Sequence, residues 1–578
     1  MNADYVFTGI DYAVFITYFA ILSFIGLYTG RKKKKDSTDY FLASRSLPWY
    51  AIGGSFVATN ISIEHFIGMV GAVYIYGICV ALNEWRNIWV VSMLVWFFIP
   101  FLIASKTFTI PEFLERRFNI VLRQFFALVT ILCNITAFLA AVLYGGGLIL
   151  EGLFGWNLYF SIAVLAVVTG TWAIYGGLRS VVWMGFFTVI IMIIGGILVT
   201  LLGLYALSGK EHSLVVGIRI MIERNQAQSG IWRAMVETVR QQVMPPSVTT
   251  YNRMALIQPI SHPTHPWPFI VVGFLSVGVW YNVLNQFMIQ RVLAAKNMYH
   301  ARMGIVFSGF LKTFVPVIVV VPGLILFAMY PEVLGGSWRT LKAETDRGFI
   351  RLVQELVPLG FRGLILAALF GAIQSTVDSV LNSTATVFTL DIFKRILHPK
   401  ISQRNLARIG FWSSIAILLI AVGLASLLGK MKGFSLFVYI QSLYAFFAPP
   451  FSAIFILGIL WKRINATGAT ITVFIGFAVQ ILVKIYVLTA ANPAVWIRPY
   501  EMQAILNWAF CVVLCIVVSL LTAPPRPDQV KPELCFTWGN LNLLSGLGDR
   551  WYKSVVFWWA IFTLNLALLI LLFCGLFF

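Results

Sequence analysis

Runs of predominantly apolar residues, each long enough to cross about 30 Å of hydrocarbon as a helix, recur from one end of this chain to the other. They lie near residues 11–29, 49–73, 77–104, 122–149, 157–175, 181–207, 267–290, 302–330, 359–390, 408–429, 434–461, 465–490, 503–522 and 555–577. A lipid interior offers no water to backbone N–H and C=O groups, so segments of this length must close their hydrogen bonds internally as helices. Composition agrees, with 60% hydrophobic and 11% charged residues in 578. The expected fold class is an all-α membrane protein with 14 transmembrane helices.

The formal charge of +20 does not point to nucleic acid, because the basic residues stand in short clusters between apolar runs, where they set orientation. If the run Arg31, Lys32, Lys33, Lys34, Lys35 is cytoplasmic, every second connection is too, and those connections hold more than half of the 42 lysines and arginines. Both termini are then extracytoplasmic, in a plasma (inner) membrane. The first run, about Tyr12 to Tyr28, has no basic residue before it and no small-residue cleavage site after it, and reads as a retained span. The six cysteines show no paired spacing and read as packing residues. A long outer loop, 208–266, carries Pro245, Pro246, Pro259, Pro263 and Pro266 and is expected to hold amphipathic pieces. Its His262 and His265 have ligand-like spacing but no third partner, and no metal is expected there. The segment 523–554 reads as a polar linker before the last helix.

Two spans are too polar in their middle to be continuous. Gly53 to His65 places small, amide, hydroxyl and charged residues at mid-membrane depth, and five spans later Gly278, Tyr281, Asn282, Asn285 and Gln286 do the same. A matched pair of interrupted helices is the signature of inverted-repeat carriers, whose unwound backbone lines a midplane site. A third segment, Gly371 to Asp391, mixes hydroxyl, amide and carboxylate groups into an apolar span, and such polarity marks a solute or ion path.

These segments resemble the solute:sodium symporter family, in its sodium/glucose cotransporter-like branch. The resemblance rests on Ala58-Thr-Asn-Ile-Ser-Ile-Glu-His-Phe-Ile-Gly68, Glu84-Trp85, Phe108-Thr-Ile-Pro-Glu-Phe-Leu-Glu-Arg-Arg-Phe118, Tyr175-Gly-Gly-Leu-Arg-Ser-Val-Val-Trp183, Asn285-Gln-Phe-Met-Ile-Gln-Arg-Val-Leu-Ala-Ala-Lys296 and Gly304 to Lys312. It implies the leucine-transporter-type 5+5 inverted repeat: a first extra helix and basic loop in 1–48, repeat one in 49–207, the outer loop 208–266, repeat two in 267–461, and three added helices in 462–578. The implied activity is sodium-coupled symport of a small organic solute by alternating access, with no covalent chemistry. A sugar leads. A polyol, nucleoside, sialic acid or carboxylate is the alternative solute, and a sodium-independent or proton-coupled carrier the alternative mechanism. An enzyme is disfavoured by the absence of HExxH, a phosphate-cradling glycine loop or paired catalytic carboxylates.

Sodium needs about five or six oxygens. Adjacent Ser375 and Thr376, with the Ala372 carbonyl one turn earlier, converge on one point, and the resemblance adds the freed carbonyls of Ala58 and Ile61. The competing reading has both hydroxyls bonding back along their own helix. In place of the family's usual acidic residue after Trp183 stands Gly185, while Asp378, three residues past Ser375, offers a substitute negative charge or a proton carrier; a structural pairing with a nearby cation is the alternative. For the solute, the resemblance implies Asn60, His65, Glu84, Asn87, Lys312 and Gln441, with Tyr281 as an aromatic gate. Glu84 and Lys312 also read as a mutually neutralising pair. Arg291 is expected to pair with Glu64 as a gating contact. Phe138 and Gly278 stand where the bacterial galactose type has asparagines, and Arg86 faces either an anionic solute or the outer interface.

Overall fold

The computed structural model describes residues 7–30, 37–227, 229–244, 248, 251–332, 344–430, 435–536 and 544–577. The basic run 31–35 and Pro245 and Pro246 of the outer loop lie outside them. Every regular element among the described residues is helical, with only isolated bridges at Leu47–Ala295 and Gln258–Pro266. Eleven helices are long and apolar enough to cross a membrane, or 12 if one bent pair counts as a span. The helices that carry the argument are α1 (Gly9–Gly30), α2 (Trp49–Asn60), α3 (Val70–Tyr76), α4 (Leu158–Leu207), α5 (Gln286–Leu293), α6 (Met298–Thr313), α7 (Arg362–Val387), α8 (Leu436–Leu460) and α9 (Tyr500–Leu521).

The count falls below the expected one because two pairs of expected spans run on as single helical stretches. One is α4, whose 50 residues would measure about 75 Å if straight, more than twice the hydrocarbon thickness. It turns at Gly177, where φ is 62° and ψ −174°, and a side chain there would sit 2.9 Å from the Tyr40 carbonyl. The other is Glu64–Ser105, which turns at Gly77 with φ 79°.

The first expected interruption is present, and its chemistry is local. At Ile61 the backbone leaves the helix (φ −76°, ψ 93°). The Ser62 hydroxyl then accepts from the Glu64 N–H (3.1 Å), and the His65 Nδ1 accepts from the Ser62 N–H (3.3 Å), so side chains replace the helical bonds. The chain re-forms as a π-helical turn, Glu64–Met69, leading into α3. The second interruption falls at Asn285 (ψ 118°), where Pro268–Leu284 and α5 meet at 55°.

Between them, α7 is enclosed on all sides: of residues 363–387, only Leu364 is not buried. Its polar groups therefore face protein, which is what permits them at membrane depth. The loop 208–266 contains the helices Leu214–Gln226 and Gly230–Val243, as its amphipathic pattern suggests. Arg253, buried in that loop, donates Nη1 to the carbonyls of Tyr74 (2.8 Å) and Ile75 (2.7 Å) and Nη2 to that of Val73 (3.2 Å), capping the end of α3. Tyr251 adds its hydroxyl to the Tyr76 carbonyl (2.7 Å). The two backbones meet so closely that a Cβ on Gly77 would lie 2.1 Å from the Arg253 carbonyl oxygen. Among its described residues the linker before the last helix has only short 3₁₀ turns but is tied down: Gln529 Nε2 donates to the Phe118 carbonyl (2.5 Å) and the Phe536 N–H to that of Ile459 (2.7 Å).

Candidate functional site

The break after α2 exposes carbonyls that no longer have helical partners, and α7 brings hydroxyls to them. Ser375 Oγ donates to the Ala58 carbonyl at 2.7 Å and lies 3.3 Å from that of Ala372. Thr376 Oγ1 lies 3.1 Å from the same Ala372 carbonyl and 3.4 Å from that of Thr59. Four of the five expected ion ligands thus converge, and Ile61, the fifth, is the residue at which the backbone departs. The two hydroxyls bond back along α7 to the Ala372 carbonyl, as the competing reading expects, and also reach across to the α2 carbonyls. The donor set is neutral and all oxygen, which suits a small hard cation. One turn on, Ser379 Oγ meets Thr59 Oγ1 at 2.6 Å. Asp378 accepts from Gln374 Nε2 at 2.8 Å through one oxygen and has no partner on the other. No cation pairs with it among the described residues, so the structural pairing is not found. Gly185 lies against α2, where an added Cβ would be 3.0 Å from Ser55 Oγ.

On the other side of the break is a polar chamber. Asn60, Glu64, His65, Glu84, Asn87, Tyr281, Lys312 and Gln441, all expected from the sequence, line one cavity. Its volume of about 50 Å³ is far below the roughly 300 Å³ at which small-molecule sites begin, so this conformation must widen to admit a solute. Glu84 is the hub: His65 Nε2 lies 3.2 Å from Oε1 and Lys312 Nζ 3.4 Å from Oε2. The expected Glu84–Lys312 neutralisation is present, and His65 joins it. Asn60 Nδ2 donates to the Tyr281 hydroxyl (3.1 Å) and Asn87 Nδ2 to the Glu84 carbonyl (2.8 Å). Tyr281 sits in an aromatic wall with Phe138, Phe287 and Tyr444. Phe138 stacks on Tyr444 at 4.9 Å, and Gly278 lines the cavity directly. Tyr444 was not picked out from the sequence, although it follows Gln441 by three residues and so shares its face of α8.

The pairing of Arg291 with Glu64 is not what the structure contains. The kink at Asn285 directs Arg291 under α2, where Nη1 donates to the Ser55 carbonyl (2.5 Å) and to Thr59 Oγ1 (2.6 Å), and Nη2 to the Phe287 carbonyl (2.8 Å). Glu64 instead accepts from Gln441 Nε2 at 3.0 Å. Arg86 lines the chamber, buried, with its guanidinium 3.8 Å from the Phe269 ring and Nη1 without a hydrogen-bond partner. It therefore does not extend to an outer interface. His265 lies 2.7 Å from Asn83 Nδ2 and His262 3.2 Å from the Tyr251 hydroxyl; burial pushes the His262 imidazole far down, to about 3, which keeps it neutral. Among the described residues no three metal-ligating side chains gather.

Two interrupted helices, a cluster of oxygens at one break and a small polar chamber beside it are the features of a multi-pass membrane carrier. The model of the sodium:solute symporter family matches residues 40–476, and the chain belongs to that family. It is 34% identical to the sodium/glucose cotransporter of Vibrio parahaemolyticus, over 94% of this chain and 96% of that protein. It is 31% identical to the sodium/myo-inositol cotransporter of Mus musculus, over 90% of this chain and 74% of the relative. Among solved structures, a Na⁺-coupled sialic acid symporter in a substrate-bound outward-open state matches with a TM-score of 0.70 at 22% identity, over 90% of this chain and 99% of that one. The relatives are transporters, and the chain is a carrier, not an enzyme. In this family sodium is transported cargo rather than a resident cofactor.

Proposed function

We propose that the chain moves a neutral polyhydroxylated solute, a sugar or cyclic polyol, inward with sodium, using Ala58, Ile61, Ala372, Ser375 and Thr376 for the ion and Asn60, His65, Glu84, Asn87, Lys312 and Gln441 for the solute. One observation carries this reading: a single break, Ile61 to Ile63, serves both sites. Its N-terminal side gives carbonyls to the α7 hydroxyls, and its flanks give Asn60 and His65 to the chamber. An ion that pulls the Ala58 carbonyl and Ser375 together thereby also sets the position of Asn60, which is coupling in the thermodynamic sense. The two relatives cited are named for glucose and myo-inositol, both neutral and rich in hydroxyls. Tyr281 acts as the aromatic gate, and Arg291 holds the inner part of α2 through Ser55 and Thr59.

The architecture that goes with this function is a 5+5 inverted repeat, 49–207 and 267–461, in 14 spans once the turns at Gly77 and Gly177 divide their helices. The outer loop 208–266 separates the repeats, and 462–578 adds three helices. The basic connections are cytoplasmic, the termini extracytoplasmic and the membrane the plasma membrane.

A thermal-shift screen of purified protein with hexoses, polyols, nucleosides and carboxylates, with and without sodium, tests this reading. A hexose or cyclic polyol is expected to stabilise only when sodium is present. Stabilisation by a neutral solute that is equal in sodium and choline defeats the coupling.

Asp378 is assigned to coupling as a negative charge beside the ion path, since its second oxygen has no partner and Gly185 supplies no carboxylate. Asp378→Asn is expected to raise the sodium concentration for half-maximal uptake about fivefold or more, or to abolish a pH dependence of uptake, roughly the weight of one screened charge in a protein interior. Uptake with unchanged sodium and pH dependence removes Asp378 from the mechanism.

A further inference from the structure

Arg86 and Glu501 are unusual in what they lack. Arg86 is a cation in the wall of the solute chamber, more than nine-tenths buried, held flat on Phe269, with Nη1 unpartnered and no carboxylate within ion-pair distance among the described residues. Glu501, in the first turn of α9, is 1% exposed, and neither of its carboxylate oxygens has a hydrogen-bond partner. The two flank one segment: α9, which carries Glu501, packs against the helical turn Pro268–Val271, and the Phe269 ring of that turn carries the Arg86 guanidinium. Glu501 is not itself among the residues lining the chamber.

The remaining charges decide what this arrangement selects. Glu84 is taken up by Lys312 and His65, and Glu64 by the neutral Gln441 amide. Without Glu501, Arg86 would be an uncompensated guanidinium facing the solute, in a low-dielectric wall where its attraction for a carboxylate is strong. With Glu501 behind it, the group still offers N–H donors to a hydroxyl, but little net field remains for an anion, and Glu64 opposes one. We propose that Glu501, from a helix beyond the proposed repeats, is the charge selector of this chamber: it cancels the field of Arg86, so that neutral polyhydroxylated solutes are accepted and their carboxylate analogues refused.

This rests on the reading of the chamber as the site of a hydroxyl-rich solute, and glucose with glucuronate is the probe pair, since they differ only by a carboxylate in place of a hydroxymethyl group. Inhibition of sodium-driven uptake in proteoliposomes is measured for each in the wild type, Glu501→Gln, Glu501→Asp and Arg86→Gln with Glu501→Gln. Wild type is expected to prefer glucose, and Glu501→Gln to shift the glucose-to-glucuronate ratio towards glucuronate by about tenfold or more. Glu501→Asp, which keeps the charge, should hold the wild-type ratio, and the double variant should lose the gain. A loss of packing alone would weaken both probes together and leave the ratio fixed. The inference is overturned by a Glu501→Gln protein that still takes up glucose with an unshifted ratio, by a Glu501→Asp protein that shifts as far as the glutamine, or by a wild type that accepts both probes equally. A wild type that accepts no neutral hexose or polyol at all overturns the reading of the chamber, and this inference with it.

Discussion

Replacing Ser375 and Thr376 by alanine and valine is expected to raise the sodium concentration for half-maximal uptake at least tenfold for each oxygen removed. A polar contact to a charged group is worth about 1.5–3 kcal/mol, and tenfold corresponds to about 1.4 kcal/mol. Both side chains reach the carbonyls at the broken end of α2 as well as the Ala372 carbonyl of α7. Ser383→Ala is the control. Its hydroxyl bonds only to the Val380 carbonyl of its own helix, and sodium activation should not move. Half-saturation measured from the sodium dependence of solute uptake in vesicles decides the matter. If the double variant activates with sodium as the wild type does, the ion is held elsewhere.

Breaking the buried triad should have the larger effect on the protein as a whole. Glu84→Gln leaves Lys312 without its counter-charge in a buried wall, a change that typically costs about 3–5 kcal/mol, and it removes the carboxylate that His65 faces. A large fall in melting temperature and a loss of uptake are expected together. The double replacement Glu84→Gln with Lys312→Gln separates the two causes. It removes both charges and should recover most of the stability, yet uptake should stay lost if these side chains also bind the solute's hydroxyls. Recovery of uptake in the double variant would reduce the pair to a structural one.

Much of this was legible because lipid forces side chains to declare themselves. Small, hydroxyl and amide residues from Gly53 to His65 have no reason to occupy an apolar span unless the helix opens, and it opens at Ile61. Likewise the polarity of Gly371 to Asp391 required a helix walled in by protein, and α7 is so enclosed. Partnerships were less legible. Whether Arg291 reaches Glu64 depends on the bend at Asn285, whose angle no local spacing encodes, and the bend sends it to Ser55 and Thr59 instead. Glu501 carried no signal at all, since an acidic residue in the first turn of a helix is accounted for by the helix dipole. Its relation to Arg86 exists only once α9 is folded against the rest. Where the sequence predicts two spans, 157–175 and 181–207, the structure has one helix, because Gly177 turns the chain without breaking the helical hydrogen-bond pattern enough to end α4.

The clasp formed by Arg253 has a mechanical corollary. Four successive carbonyls, from Val73 to Tyr76, are gripped by side chains of the outer loop, and Gly77 leaves no clearance between the two backbones. A widening of the chamber that tilts α3 is expected to move that loop with it, since the two are clasped together. A reporter dye fixed to an exposed position of the loop is therefore expected to register the opening of the chamber, without any label being placed near the ion or the solute.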